Sequence, residues 1–207
     1  MNLKYLTFKR LLLIANQGDV SDLVAFYSDL PFIDLRIGFK RYQVPKTLIE
    51  LQTQITWAQR LYFASEPTDF IDLVFKRFNG WFYPILTGKQ FNEQECSKIN
   101  YKALNCNVDE LLPFVAHMSR LIDQLLIDEA KKTASDVDKT WIAAGGEKLT
   151  PFANMLTIDF LADKLRCHPD EVLNKPYADC LVRLMHQKIS TDVENEYREL
   201  LTLKTTK

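Results

Sequence analysis

The stretch from Asn107 to Lys132 restricts the fold more than any other. Leu111, Leu112, Val115, Met118, Leu121, Ile122, Leu125 and Leu126 recur at the helical period over a broad face. That pattern predicts one long helix lying at the centre of a core. Asn107 or Asp109 is placed to open it, and Pro113 sits in the first turns, where a missing N–H costs little.

Helix punctuation recurs along the rest of the chain. Thr7 can cap a short helix to about Asn16. Gly18-Asp19 breaks it, and Ser21 caps a second that ends before Pro31. From Phe32 to Gln43 the apolar residues alternate in part (Ile33, Leu35, Ile37, Phe39), which fits a short strand or an irregular helix. Pro45 suits the first turn of a helix over 45–64, with Leu48, Leu51, Ile55, Ala58, Leu61 and Tyr62 on one stripe. Thr68 is read as the cap of a helix over 69–78, stopped by Asn79-Gly80 because both residues tolerate left-handed backbone. Asn92 opens a shorter helix to about Leu104.

Residues 131–148 are small and polar and contain Gly145-Gly146, which reads as a boundary with Trp141 as an anchor. The expected organisation is therefore all-α: a multi-helix main domain over 1–133, a linker over 134–148 and a small C-terminal helical module over 149–207. In that module Thr157 is expected to cap one helix, Pro169 to begin a second after His168, and Pro176 to begin a third through about Ile189. Thr191 or Asp192 would cap a last amphipathic stretch carrying Val193, Tyr197, Leu200 and Leu201.

Composition excludes several classes. The chain has 207 residues with a formal net charge of -1, so no global field draws it to nucleic acid or membrane. With 6 Gly and 8 Pro it does not read as disordered or as a turn-rich sandwich. No apolar run reaches the roughly 18 residues that span a bilayer. The first residues are broken by Lys9 and Arg10, so no signal peptide is expected. The four cysteines, Cys96, Cys106, Cys167 and Cys180, form no CxxC pair and read as free thiols in a reducing cytoplasm.

Catalytic equipment is sparse. Cys167, His168, Cys180 and His186 invite a zinc reading, but Cys180 and His186 are six apart on a helix and diverge by about 240°. No metal site is expected. Asp69/Asp72, Asp159/Asp163 and Asp170/Glu171 sit at helix starts or on polar faces, where capping and solvation explain them. There is no Walker A, GxGxxG or GxSxG motif, and a Cys/His nucleophile, which three His would allow, has no activated-thiol signature and no orienting residue beside it. The chain is therefore read as a non-enzyme without a cofactor. Phe160–Lys175 has the layout of a helix-turn-helix. However, residues 133–207 hold ten Lys or Arg against twelve Asp or Glu, and the would-be reading helix begins Pro169-Asp170-Glu171. Carboxylates there would meet phosphates, which disfavours nucleic acid.

What remains is surface. Arg36, Lys40, Arg41 and Lys46 form a basic cluster with no acid between them. A solvated face is one reading, and steering of an acidic partner or RNA is the other. The aromatic run Phe63, Phe70, Phe75, Phe78, Trp81, Phe82, Tyr83 is dense enough to fill a core and leave a groove for a partner helix.

The run IDFLADKLRCHPDEVLNKPYADCLVRLMHQK resembles the C-terminal segment of tail assembly chaperones and related small helical tail-morphogenesis proteins of long-tailed bacteriophages. Its elements are a short helix, then Pro169, Glu171, Val172 and Leu173, then Pro176 and Tyr177, then a Leu-rich helix from Leu181 to Lys188. The resemblance covers about 50 residues; residues 87–132 are similar only in style. It implies a non-enzymatic adaptor of the host bacterial cytoplasm that binds a helical partner such as the tape-measure protein, or another virion protein. A structural tail or head–tail connector protein that stays in the virion is the alternative, and a helix-turn-helix regulator the second. Self-association is compatible with either. The residues expected to bind are Trp81, Phe82 and Tyr83 as a groove, Arg36, Lys40 and Arg41 for charge steering, and Leu173, Tyr177 and Leu184 on the C-terminal surface.

Overall fold

The computed structural model describes residues 6–16, 21–32, 34–134 and 145–205. The fold is all-α with one small hairpin. In order, it comprises α1 (Phe8–Ala15), α2 (Ser21–Ser28), β1 (Leu35–Ile37), β2 (Lys40–Tyr42), α3 (Leu48–Gln54), α4 (Trp57–Ala64) and α5 (Phe70–Thr87). A 3₁₀ segment (Glu93–Ile99), α6 (Asn100–Leu104) and α7 (Val108–Thr133) follow. A second 3₁₀ segment (Gly146–Phe152) leads into α8 (Ala153–Leu165), α9 (Pro169–Val172) and α10 (Tyr177–Thr205).

The long amphipathic helix is α7. Leu111, Leu112, Val115, Met118, Leu121, Ile122 and Leu125 on it are all buried, and α2, α3, α4, α5 and α10 all pack against it. Thr7 caps α1 by accepting from the Arg10 N–H at 3.4 Å. The chain then doubles back on the start of α7: the Phe8 N–H donates to Cys106 O at 3.0 Å and the Val108 N–H to Leu6 O at 2.8 Å.

The ambiguous segment after Phe32 is an antiparallel hairpin, with Leu35 opposite Tyr42, Arg36 opposite Arg41 and Ile37 opposite Lys40. Gly38, at φ 63°, takes the first of its two turn positions. Only glycine occupies that conformation without strain in a type II′ hairpin turn. Alternation buries Leu35 and Ile37 and leaves Arg36 outside.

The single helix expected over 45–64 is two. α3 stops at Ile55, whose extended backbone separates it from α4. The break is imposed from far along the chain. The Trp57 N–H donates to Lys175 O at 3.0 Å, the Ala58 N–H to Leu173 O at 2.9 Å, and the Tyr177 N–H to Ile55 O at 3.0 Å. The orphan donors of the first turn of α4 are thus met by carbonyls from the α9–α10 connection. Thr56 adds a capping box with Gln59.

Asn79-Gly80 is not a stop. α5 runs through both and ends at Gly88, which is left-handed at φ 67°. Gly80 is there for space: a Cβ on it would lie 2.2 Å from Phe63 Cε1. Pro84, four residues on, has no N–H to give the Gly80 carbonyl. Gln59 of α4 supplies the missing donor, its Nε2 at 2.7 Å from Gly80 O. A glycine and a proline that look like breakers are a crossing point and its repair. The start of α5 also shifts. Asp69, not Thr68, caps it, accepting from the Asp72 N–H at 2.8 Å.

In the C-terminal third, His168 caps α9 with Pro169 in its first turn. Thr157 is no cap: it lies inside α8 and its hydroxyl donates to Ala153 O at 2.8 Å. The two helices expected on either side of Thr191 are one, α10. The expected linker falls mostly on residues 135–144, outside the described set, and so does its anchor Trp141. On either side of it the buried cluster is continuous: Leu161, Val172, Tyr177, Cys180 and Leu181 belong with Leu51, Ile55 and Trp57.

Candidate functional site

The expected binding residues separate into three groups. Trp81, Phe82 and Tyr83 are buried on α5. Phe82 is in ring contact with Phe78, Phe114 and Tyr42, and Tyr83 with Phe91, its hydroxyl donating to Glu95 at 2.8 Å. The groove expected there is filled by the protein's own side chains. An 18-residue helix crossing α4 and α7 has apolar neighbours on most sides, so its aromatics are consumed inward.

Tyr177 is likewise core. Its ring stacks on Trp57 with centroids 6.0 Å apart and planes 11° from parallel. Beside this pair, Arg60 Nε donates to Glu129 Oε2 at 2.9 Å, Arg60 Nη2 donates to Glu129 Oε1, and the guanidinium lies over the Trp57 ring. Burial, followed by the Glu129 carboxylate, raises the Tyr177 pKa strongly. Tyr177 is the pin joining α10 to α4, and is not surface. Leu173 is half-buried, with its carbonyl capping α4. Leu184 is half-buried in a shallow cavity of about 300 Å³ with Leu156, Phe160 and Lys188.

Arg36, Lys40 and Arg41 are exposed on the hairpin. The hairpin therefore carries these three at the surface, while its Tyr42, beside Arg41, packs on the buried Phe82.

The surface that sequence reasoning missed is on α10. At about 100° per residue, Tyr177, Cys180, Leu181 and Leu184 share the face packed on the body. Val182, Ile189, Val193, Tyr197 and Leu200 cluster roughly 160° away from it. These five are between 59% and 62% exposed. Their spacing of seven, four, four and three is that of one continuous helical stripe. Val193, Tyr197 and Leu200 were legible as amphipathic spacing; Val182 and Ile189 extend the same line back over a helix whose other face is occupied. On the neighbouring α8 and the segment before it, Phe152, Met155 and Leu156 are also exposed. Single exposed apolar residues are ordinary, but an aligned series of them marks an interaction surface.

Cys96, Cys106 and Cys180 are buried thiols pushed up to about 12 by desolvation. Among the described residues, no group of three or more His, Cys, Asp or Glu side chains could hold a metal ion. No described helix is long and apolar enough to cross a membrane. No protein-family model, curated protein or solved structure matches the chain.

Proposed function

We propose that this protein is a non-enzymatic helical adaptor that binds an amphipathic helix of a partner along the outward stripe of α10. The biological class we assign is the one its C-terminal sequence resembles, the tail assembly chaperones of long-tailed phages, with a tape-measure-type helical protein as partner. The observation that carries the reading is the exposed line of Val182, Ile189, Val193, Tyr197 and Leu200 on a helix whose opposite face is covered only in its first part, the described residues from Val193 on being exposed on every side. A helix laid on such a line reads it through anchors three and four residues apart. The anchoring through Tyr177 and Trp57 holds the first turns of α10 in place, so the stripe extends from a fixed base.

Co-expression with a tape-measure protein from a phage that encodes this chain tests it. A soluble complex is expected with the wild type, and none with Val193→Glu/Tyr197→Glu. A tape-measure protein that stays insoluble beside the wild type, or that is rescued equally by the double variant, overturns the reading. Finding the protein in mature particles would favour the structural-component alternative.

A further inference from the structure

A second surface, independent of α10, is built on the hairpin. A two-residue turn closes on a hydrogen-bonded pair, here Ile37 and Lys40, and hydrogen-bonded and non-hydrogen-bonded pairs alternate from there. Arg36 and Arg41 are therefore the non-hydrogen-bonded pair, and the backbone N–H and C=O of each point away from the partner strand. On the β1 side this is directly visible: the Arg36 N–H donates to the Glu110 carboxylate of α7 at 2.8 Å. The symmetric group on the β2 side, the Arg41 N–H, has no hydrogen-bond partner among the described residues.

The side chains sharpen this. Directly opposed residues of a strand pair project from the same face, so the side chains of Arg36 and Arg41 leave the hairpin on one side. Like charges so placed destabilise a hairpin. No ion pair to either occurs among the described residues. Lys40, opposite Ile37, projects from the other face of the hairpin, its Nζ 5.1 Å from the Tyr42 ring centroid. Phe39, at the tip, is fully exposed.

We infer that the free β2 edge is a docking site for an acidic, extended peptide segment of a partner protein. The segment would pair its backbone with the N–H and C=O of Arg41 and set carboxylates against Arg41 and Arg36. Glu110 already makes the equivalent contact on the other edge, which identifies the chemistry: a carboxylate beside an outward N–H of this hairpin. Charge complementarity selects an acidic strand over a neutral one. A nucleic acid fits less well, because it has no peptide backbone to pair with the Arg41 edge.

The test is fluorescence anisotropy at low salt with a labelled peptide of alternating Glu and Val. Its backbone N-methylated counterpart, its alternating Lys and Val counterpart and an oligothymidylate are compared with it. The Glu peptide is expected to bind the wild type and to be released by added salt. It should bind Arg41→Glu at least about tenfold more weakly, and its N-methylated form should be weaker on the wild type. The Lys peptide should not bind. Unchanged melting of Arg41→Glu by circular dichroism confirms that the variant folds, and Arg36→Glu is the second variant if it does not. Absence of Glu-peptide binding, equal binding by the folded variant, or full affinity of the N-methylated peptide overturns the proposal. So does tighter binding of the oligothymidylate, which would make the hairpin a nucleic-acid contact.

Discussion

Gly80→Ala sets two effects of opposite sign against each other. In the middle of an exposed helix, replacing glycine by alanine stabilises by about 1 kcal/mol. Gly80 is instead buried in α5, and the added Cβ would lie 2.2 Å from Phe63 Cε1, 2.8 Å from Cζ and 3.0 Å from Cδ1. Carbon atoms rest roughly 3.5–4.0 Å apart, so the ring or the helix must move by more than about 1 Å. Phe63 cannot swing into solvent: it is 2% exposed, its ring tilts against Tyr62, and its carbonyl accepts from the buried Arg77. Overpacking a rigid site costs about 1–3 kcal/mol, here toward the upper end, and sometimes more. The expected balance is a net loss of about 1–2 kcal/mol. Urea denaturation followed by circular dichroism reads it as a lower midpoint with unchanged slope. Phe63→Leu alone should also destabilise. Combining it with Gly80→Ala should recover about 1–2 kcal/mol relative to the sum of the two, because leucine vacates the contested space. A neutral or stabilising Gly80→Ala, or strict additivity in the double variant, would refute the crossing-point account.

Gln59→Leu should cost about 1–3 kcal/mol by leaving the Gly80 carbonyl buried without a donor, measured by the same denaturation. Arg60→Met should destabilise by about 3 kcal/mol, since Glu129 is 8% exposed and would be left unpaired; Arg60→Met/Glu129→Leu should recover most of that loss. In alkali the buried thiols act in one direction. Cys96, Cys106 and Cys180 titrate near 9.0 when unfolded and near 12 when folded. Their contribution is therefore complete below pH 9 and lost as pH rises from about 9 through 12, because the unfolded chain releases protons first. Melting temperature should fall over that window, and less steeply in a Cys96→Ala/Cys106→Ala variant. Val193→Glu and Tyr197→Glu should each change stability by less than about 0.5 kcal/mol, as exposed sites do, and a loss of the fold in either would remove α10 as a free surface.

Part of the local grammar of helices was legible, although Thr68 and Thr157 were misplaced as caps, and what depended on distant residues was not. Thr7 and Asn92 accept the capping bonds expected of them, and Pro169 stands in the first turn of its helix, because such signals are settled within four residues. Asn79-Gly80 misled because the reason for Gly80 is Phe63 of another helix, and the reason Pro84 is tolerated is Gln59. Ile55 breaks a helix that periodicity would continue because Leu173 and Lys175 cap its successor. The hairpin was ambiguous because three-residue strands carry too few alternations to decide a period. Among the candidate binding residues, the basic cluster was found because charge is exposed by default. The aromatic groove was misplaced because apolar residues at helical spacing look the same whether they face a core or a partner.

The capping of α4 by carbonyls from residues 173 and 175 has a consequence for how the chain is made. Synthesis proceeds at about 5–20 residues per second. On that estimate, the Trp57 and Ala58 amides wait roughly 6–24 seconds before their acceptors leave the peptidyl-transferase centre. Until then the boundary between α3 and α4 rests on the Thr56–Gln59 capping box alone, and the face of Trp57 that Tyr177 will cover stays open. Completion of the early helices is deferred to the arrival of a segment more than a hundred residues downstream. Nascent chains arrested before Lys175 should therefore hold this protein open to chaperones and proteases, and release should come as Tyr177 clears the ribosome.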